Sequence, residues 1–241
     1  MTDRPSVLVP IRVLEGESLP EGVPRFLTNA HVVLLGYHVI PEQTAPGQAR
    51  MQFEERANRK LDQFETAFTD AGATVERRLV FTHGPQKTIN RQILEHDCLA
   101  VLVPNAVPDA ENVLVAVRGT VGLDRLARVV GGLFDDADVG ITLYHVVGGG
   151  ETDEDVEMLL ESLRDRLVDL DIEEDRIETV TDTGDEPLDA IAERAEDFDA
   201  VVMGESDPTL ATFVFGMPAD QVADRFLGPV LVVQREPPET D

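Results

Sequence analysis

Short apolar runs recur in the same order along this chain, and that recurrence limits what it can fold into more than any other feature. Ser6-Val7-Leu8-Val9 returns as Asn112-Val113-Leu114-Val115, at an offset of 106 residues. Tyr37-His38-Val39 returns as Tyr144-His145-Val146, offset 107, and Ala100-Val101-Leu102-Val103 as Ala200-Val201-Val202-Met203, offset 100. Asp97 and Asp199 stand just ahead of the last pair. Such self-similarity means two copies of one supersecondary plan. A chain of 241 residues has room for two units at ~100–150 residues each.

The second copy is the clearer one. Val113–Val117 is a short β-branched run of the kind found in buried parallel strands. Leu123, Leu126, Val129, Val130 and Leu133 follow at helical spacing. Ile141–Val147 reads as a second strand, broken by Gly148-Gly149-Gly150. Thr152-Asp153-Glu154-Asp155 opens a helix in capping-box style, with Val156, Leu159, Leu160, Leu163 and Leu167 on one face. A third strand is expected at Ile177–Val180, a helix near Pro187–Glu196, and a fourth strand at Ala200–Met203. Pro218 suits a first helical position, Gly228-Pro229 ends that helix, and Val230–Val233 is a fifth strand. Strands alternating with helices imply a parallel sheet covered on both faces.

The first copy is shortened. Its opening strand, Val7–Val13, is followed by a stretch in which Gly16, Pro20, Gly22 and Pro24 forbid a full helix. Then come a strand at His31–Ile40, a helix at Met51–Ala71 stopped by Gly72, a strand at Val75–Phe81, a helix at Pro85–His96 and a strand at Leu99–Val103. Past Pro104 the chain runs straight into the second copy, so the last helix and fifth strand have no counterpart here. The boundary falls between residues 1–107 and 108–241.

Charge divides the copies as well. The whole chain carries 47 acidic and 20 basic residues, and all but Lys60 and Lys87 of the basic ones are arginine. Residues 1–107 have a net charge of −2 and residues 108–241 one of −25. A field of that sign repels phosphate backbones and argues against nucleic-acid partners. An acid-rich, lysine-poor surface matches proteins adapted to high salt, which screens self-repulsion. In such a protein the less acidic half is the one expected to be covered. One cysteine allows neither an internal disulfide nor a cysteine-based metal cluster. No apolar run nears the ~20 residues of a membrane span, and the start lacks a signal-peptide layout, so a cytoplasmic protein without membrane insertion is expected.

The ending DAVVMGESDPTLATFVFGMPADQVADRFLGPVLVVQRE, together with the order of elements in the second copy, resembles the universal stress protein family. The resemblance covers Asn112–Arg235 nearly completely and residues 6–104 as a shortened repeat. It implies an α/β fold of two adenine-nucleotide-hydrolase-like parallel-sheet domains, the first incomplete. It also implies pairing through the fifth strand. Val230, Leu231, Val232 and Val233 form an apolar edge that needs a partner, either a second copy in a homodimer or the chain's own other half as a pseudo-dimer.

Nucleotide-binding members of that family carry G-x2-G-x9-G-[ST] after the fourth strand, where glycines admit the phosphates and a helix N-terminus receives their charge. Here Gly204 fits the first position. Asp207 takes the place of the second glycine, Gly216 comes one residue early, and Met217-Pro218 stands where a hydroxyl belongs. At the end of the first strand, where ATP-binding members place an Asp, this chain has Arg118-Gly119-Thr120, with Arg12 at the matching place in the first copy. These departures oppose a triphosphate, so no cofactor is expected, with ATP or AMP as the alternative. The candidate nucleotide- or anion-binding residues are Arg118, Gly119, Thr120, Val146, Gly204 and Gly216. Arg118 has an opposing reading as the ion-pair partner of a neighbouring acid.

No G-x-S-x-G elbow, Walker loop or H-E-x-x-H motif is present, and no catalytic residue is assigned. His38 and His145, at matched strand ends, read as structural, and Cys98 reads as a core residue. His83 sits in a turn before a helix, near where an open α/β sheet presents its ligand crevice. The acids Glu151–Glu157 read as a solvated helix start, and Asp135, Asp136 and Asp138 as a surface loop. A non-catalytic regulatory module acting through protein contacts is the expectation. Its rivals are a nucleotide-sensing stress protein and a soluble accessory of a membrane transporter.

Overall fold

The structure is a computed structural model and describes residues 4–16, 18–107, 109–118, 122–184, 186–204, 226 and 228–234. The first copy supplies β1 (Ser6–Arg12), the one-turn α1 (Val23–Phe26), β2 (His31–Val39), α2 (Pro46–Asp70), β3 (Thr74–Thr82), α3 (Pro85–Glu95) and β4 (Ala100–Val103). The second supplies β5 (Asn112–Ala116), α4 (Leu123–Phe134), β6 (Gly140–Val147), α5 (Asp153–Val168), β7 (Ile177–Thr183), α6 (Pro187–Arg194), β8 (Ala200–Gly204) and β9 (Val230–Val233). The helix expected from Pro218 lies outside the described residues, as do Gly119, Thr120 and Gly216.

The elements follow from local chemistry. Where a full helix was forbidden, α1 manages a single turn, entered through Gly22 at a φ of 81°. Helix α2 begins earlier than the apolar stripe suggests, because Pro46 provides a pre-set first turn. Thr152 caps α5 as expected. Its hydroxyl accepts the Asp155 amide at 3.2 Å, and the Asp155 carboxylate accepts the Thr152 amide at 3.2 Å. Strand β7 runs on to Thr183, past the apolar run, because its pairing with β6 continues to Val147.

The described strands all join one nine-stranded sheet in the order β3-β2-β1-β4-β9-β8-β5-β6-β7. Each copy contributes the same sequence of neighbours read from its outer margin inward. Every pairing is parallel except β4 with β9, where Ala100 faces Val233 and Val103 faces Val230. On its other side β9 runs parallel to β8, with Val201 opposite Val230. The fifth strand therefore stands where each copy needs one. The apolar strand expected as a dimer edge is not an edge. Both its sides are hydrogen-bonded within the chain, so it offers no pairing to a second copy, and the homodimer form of that expectation is corrected. Val230, Leu231, Val232 and Val233 are essentially unexposed. At ~1.5–3 kcal/mol per buried aliphatic side chain, this strand gains on the order of 6–12 kcal/mol gross, before chain entropy.

One face of the sheet carries a single apolar core through both copies, under α1, α2, α4 and α5. The rings of Phe26 and Phe134 meet across the join at 5.7 Å, and Asn29 Nδ2 donates to the Leu133 carbonyl at 3.3 Å. The opposite face holds two clusters, one around α3 and one around α6 and Phe226. Asn105 Nδ2 donates to the Phe226 carbonyl at 2.8 Å, tying the stretch after β4 to the second copy.

Candidate functional site

In an open α/β sheet the ligand crevice lies beyond the carboxyl ends of the strands, where strand order reverses. In the second copy that point lies between β5 and β8, whose registers place Ala116 opposite Met203. Arg118 and Gly204 thus sit at the ends of neighbouring strands. On the other side of β5, Ala116 faces Tyr144, and the Val117 amide donates to the Tyr144 carbonyl at 2.8 Å. Val146 lies on that strand at the same rim, but its side chain packs into the cluster with Tyr144, Ile191 and Val232.

His145 shapes this rim. Its ring is buried, Nδ1–H donates to the Val117 carbonyl at 2.8 Å, and Nε2 lies 3.2 Å from the Glu151 carboxylate. The same carboxylate accepts the Gly148 amide at 2.6 Å. That amide above all, then His145 and the charge of Arg118, hold the Glu151 carboxyl below its ordinary range against the opposing effect of burial. Sequence reasoning assigned Glu151 to a solvated helix start and missed this role. The available signal was its place directly after Gly148-Gly149-Gly150, where a side-chain acceptor can close the turn.

The first copy does not reproduce the arrangement. Aligned on the pairing of Val7 with Ala100 and of Val113 with Ala200, Arg12 corresponds to Arg118. On that alignment β2 runs two residues out of step with β6. Ile11 faces Gly36, whereas Val117 has His145 beside it. The counterpart of His145 is therefore Gly36, and the expected match with His38 is corrected. A Cβ at Gly36 would stand 2.7 Å from Leu61 Cδ2 and 2.8 Å from Val13 Cγ1, so aliphatic packing fills the imidazole's place. His38 lies further out, edge-on to Phe53 at 5.6 Å and Phe81 at 6.2 Å, and its buried Nδ1 has no hydrogen-bond partner. Arg12 Nε donates to the Tyr37 hydroxyl at 3.2 Å, and its Nη1 pairs with Glu15 at 3.3 Å. On the same register Tyr144 has Leu35 as its counterpart, and its hydroxyl donates to Asp182 at 2.9 Å. Burial, reinforced by that bond, pushes the phenol up to about 12.

The remaining candidates are placed as follows. His83 Nε2 sits 3.1 Å from the Thr44 carbonyl. Cys98 is buried beside Ser6, and burial raises its thiol to about 11. Among the described residues no three His, Cys, Asp or Glu side chains are placed to hold a metal ion.

The family model described as the universal stress protein family matches residues 110–234, which hold β5 through β9 and the whole rim just described. The chain belongs to the universal stress protein family. Its fold is similar to that of a universal stress protein from Archaeoglobus fulgidus DSM 4304, at 17% identity and a TM-score of 0.61, covering 95% of this chain and 96% of that one. It is similar also to a Pseudomonas aeruginosa UCBPP-PA14 protein described as a universal stress protein, at 15% identity and a TM-score of 0.54, covering 98% and 95%. These likenesses establish the fold, and no curated protein matches the chain. Within this family fold, the second copy carries the rim of Arg118, His145, Glu151 and Gly204. In the first copy Gly36 and Leu61 close the same place. No helix among the described residues is long and apolar enough to cross a membrane.

Proposed function

We propose that this universal stress protein is a non-catalytic regulatory module of a salt-adapted cytoplasm that acts through protein contacts and does not hold ATP in the family's manner. The observation that carries the reading is Glu151. A carboxylate fastened by the Gly148 amide and His145 stands within electrostatic reach of Arg118, so the cation best placed to meet a phosphate is already countered. An incoming triphosphate would meet a fixed negative charge at that point. The sequence around Asp207 and Met217-Pro218 agrees, since it replaces glycine with an acid and removes a backbone donor.

Calorimetric titration with ATP and with AMP, on protein purified and held at high salt, tests this. Absence of binding at millimolar nucleotide is expected, with nothing released on denaturation. Near-stoichiometric adenine nucleotide in the purified protein would overturn it. It would favour the second reading, a nucleotide sensor. That reading draws on the neighbouring ends of β5 and β8 at the strand-order reversal, which carry Arg118 and Gly204.

A further inference from the structure

The two outer margins of the sheet are finished differently. On β3 the residues facing α2 are Val75, Arg77, Leu79 and Phe81. Val75 and Leu79 pack against the main core, and Phe81 packs with Phe53 and Ala49 of α2. The Arg77 guanidinium reaches over the edge to Asp62 and Glu65 on α2. One face of that strand is covered by its own helix, while its outer edge, like that of β7, has no neighbour among the described strands. On β7 the corresponding face is Ile177, Thr179, Thr181 and Thr183, of which only Ile177 is buried. Helix α5 runs beside the strand but leaves the other three exposed.

A groove of ≈ 370 Å³ opens between α5 and this strand. Val147, Val156 and Leu160 form its apolar floor, and the exposed carboxylates of Asp153, Glu157 and Glu161 line its helix side. Arg164 stands among them, with Nη2 pairing to Glu174 at 3.2 Å. Glu178 and Asp182 project from the other face of β7. The strand itself pairs only with β6 among the described strands, so alternate backbone N–H and C=O groups point outward.

We propose that β7 and this groove take up an extended segment of a partner protein, with cationic and aliphatic residues in alternation, as an added strand. Outward backbone groups supply hydrogen bonds, alternate aliphatic side chains reach the Val147–Leu160 floor, and cations meet the carboxylates on both faces. In the groove three acids stand against Arg164, itself paired with Glu174, a balance that selects a cationic partner and repels phosphate backbones. Glu178 and Asp182 also oppose pairing of β7 with itself in a second copy, since they would meet like charges across strands. The surface gives the protein-contact reading a location and rests on it. Nucleotide titration tests β5 and β8, and peptide binding tests β7, so either can fail alone.

The probe is a labelled peptide of repeating Arg-Val, followed by fluorescence anisotropy at moderate salt. Its controls are the same peptide N-methylated at alternate residues, which keeps the charge and removes strand hydrogen bonds, and a Glu-Val repeat. Saturable binding is expected, weakened about tenfold or more by N-methylation and by the exposed double substitution Glu157→Lys with Glu161→Lys. Amide exchange should slow over residues 177–183 when the peptide binds. Absence of binding, or equal affinity for the N-methylated peptide, would overturn the proposal on the unmodified protein alone. So would indifference to the double substitution, tight binding of the Glu-Val peptide, or protection of β7 by self-association without any peptide.

Discussion

The two copies follow one plan of strands and helices, yet they end differently at three places. At the inner margin the first copy stops at β4, and the second lends it β9, turned antiparallel. At the rim the second copy sets an imidazole against a carbonyl and a carboxylate, while the first packs Leu61 against Gly36. At the outer margin a 25-residue helix packs on one face of β3, and the matching face of β7 stays largely exposed beside a 16-residue one. The last two differences leave less exposed polar chemistry on the first copy than on the second. The charge follows the same division, with nearly all the net negative charge on the copy that retains exposed chemistry.

The strongest way to break this comparison is through the shared strand. Leu231 is fully buried and belongs to the core that runs through both copies. Leu231→Ala should cost about 3 kcal/mol in denaturant unfolding and shift one cooperative transition. Two separate transitions, only one of them displaced, would show that β9 does not couple the halves. Gly36→Ala adds a Cβ against Leu61 and Val13 and should destabilise by roughly 1–3 kcal/mol, because a tight aliphatic contact must spread. Indifference at this position would mean that the first copy's rim is not closed by packing.

Smaller effects sharpen the second copy. Thr152→Ala removes the capping box of α5 and should lower stability by about 1 kcal/mol, with the loss visible in helix circular dichroism. Glu151→Gln is expected to act through pH. The folded-state pKa of Glu151 lies below its ordinary 4.5, so its contribution is present above that value and lost as pH falls through the depressed folded pKa. The stability gap between the native protein and Glu151→Gln should therefore narrow on acidification below about pH 4.5. A gap that widens there would place the carboxylate in a different environment.

Much of the plan was legible from spacing. Apolar runs located every described strand to within a few residues, and Thr152 with Asp155 announced a helix start that the structure reproduces. The rim was legible only in part. Arg118 and Gly204 were candidates through the family resemblance, and the structure puts them at the ends of neighbouring strands. Glu151 was not, because an acid before a helix looks the same whether it faces water or closes a turn onto His145. The misassigned match of His38 with His145 has a related cause. A slip of two residues keeps each side chain on its original face, so hydrophobic alternation is blind to it.

By itself the sequence determined the class of fold, the approximate bounds of the strands and the absence of a regular glycine loop, because these depend on residue type and local spacing. Only the tertiary structure decided which strand partners β9, which histidine meets a carboxylate and which outer strand keeps an uncovered face. Those outcomes rest on backbone hydrogen bonds and contacts between residues far apart in the chain, and such pairings leave no periodic trace in the order of amino acids.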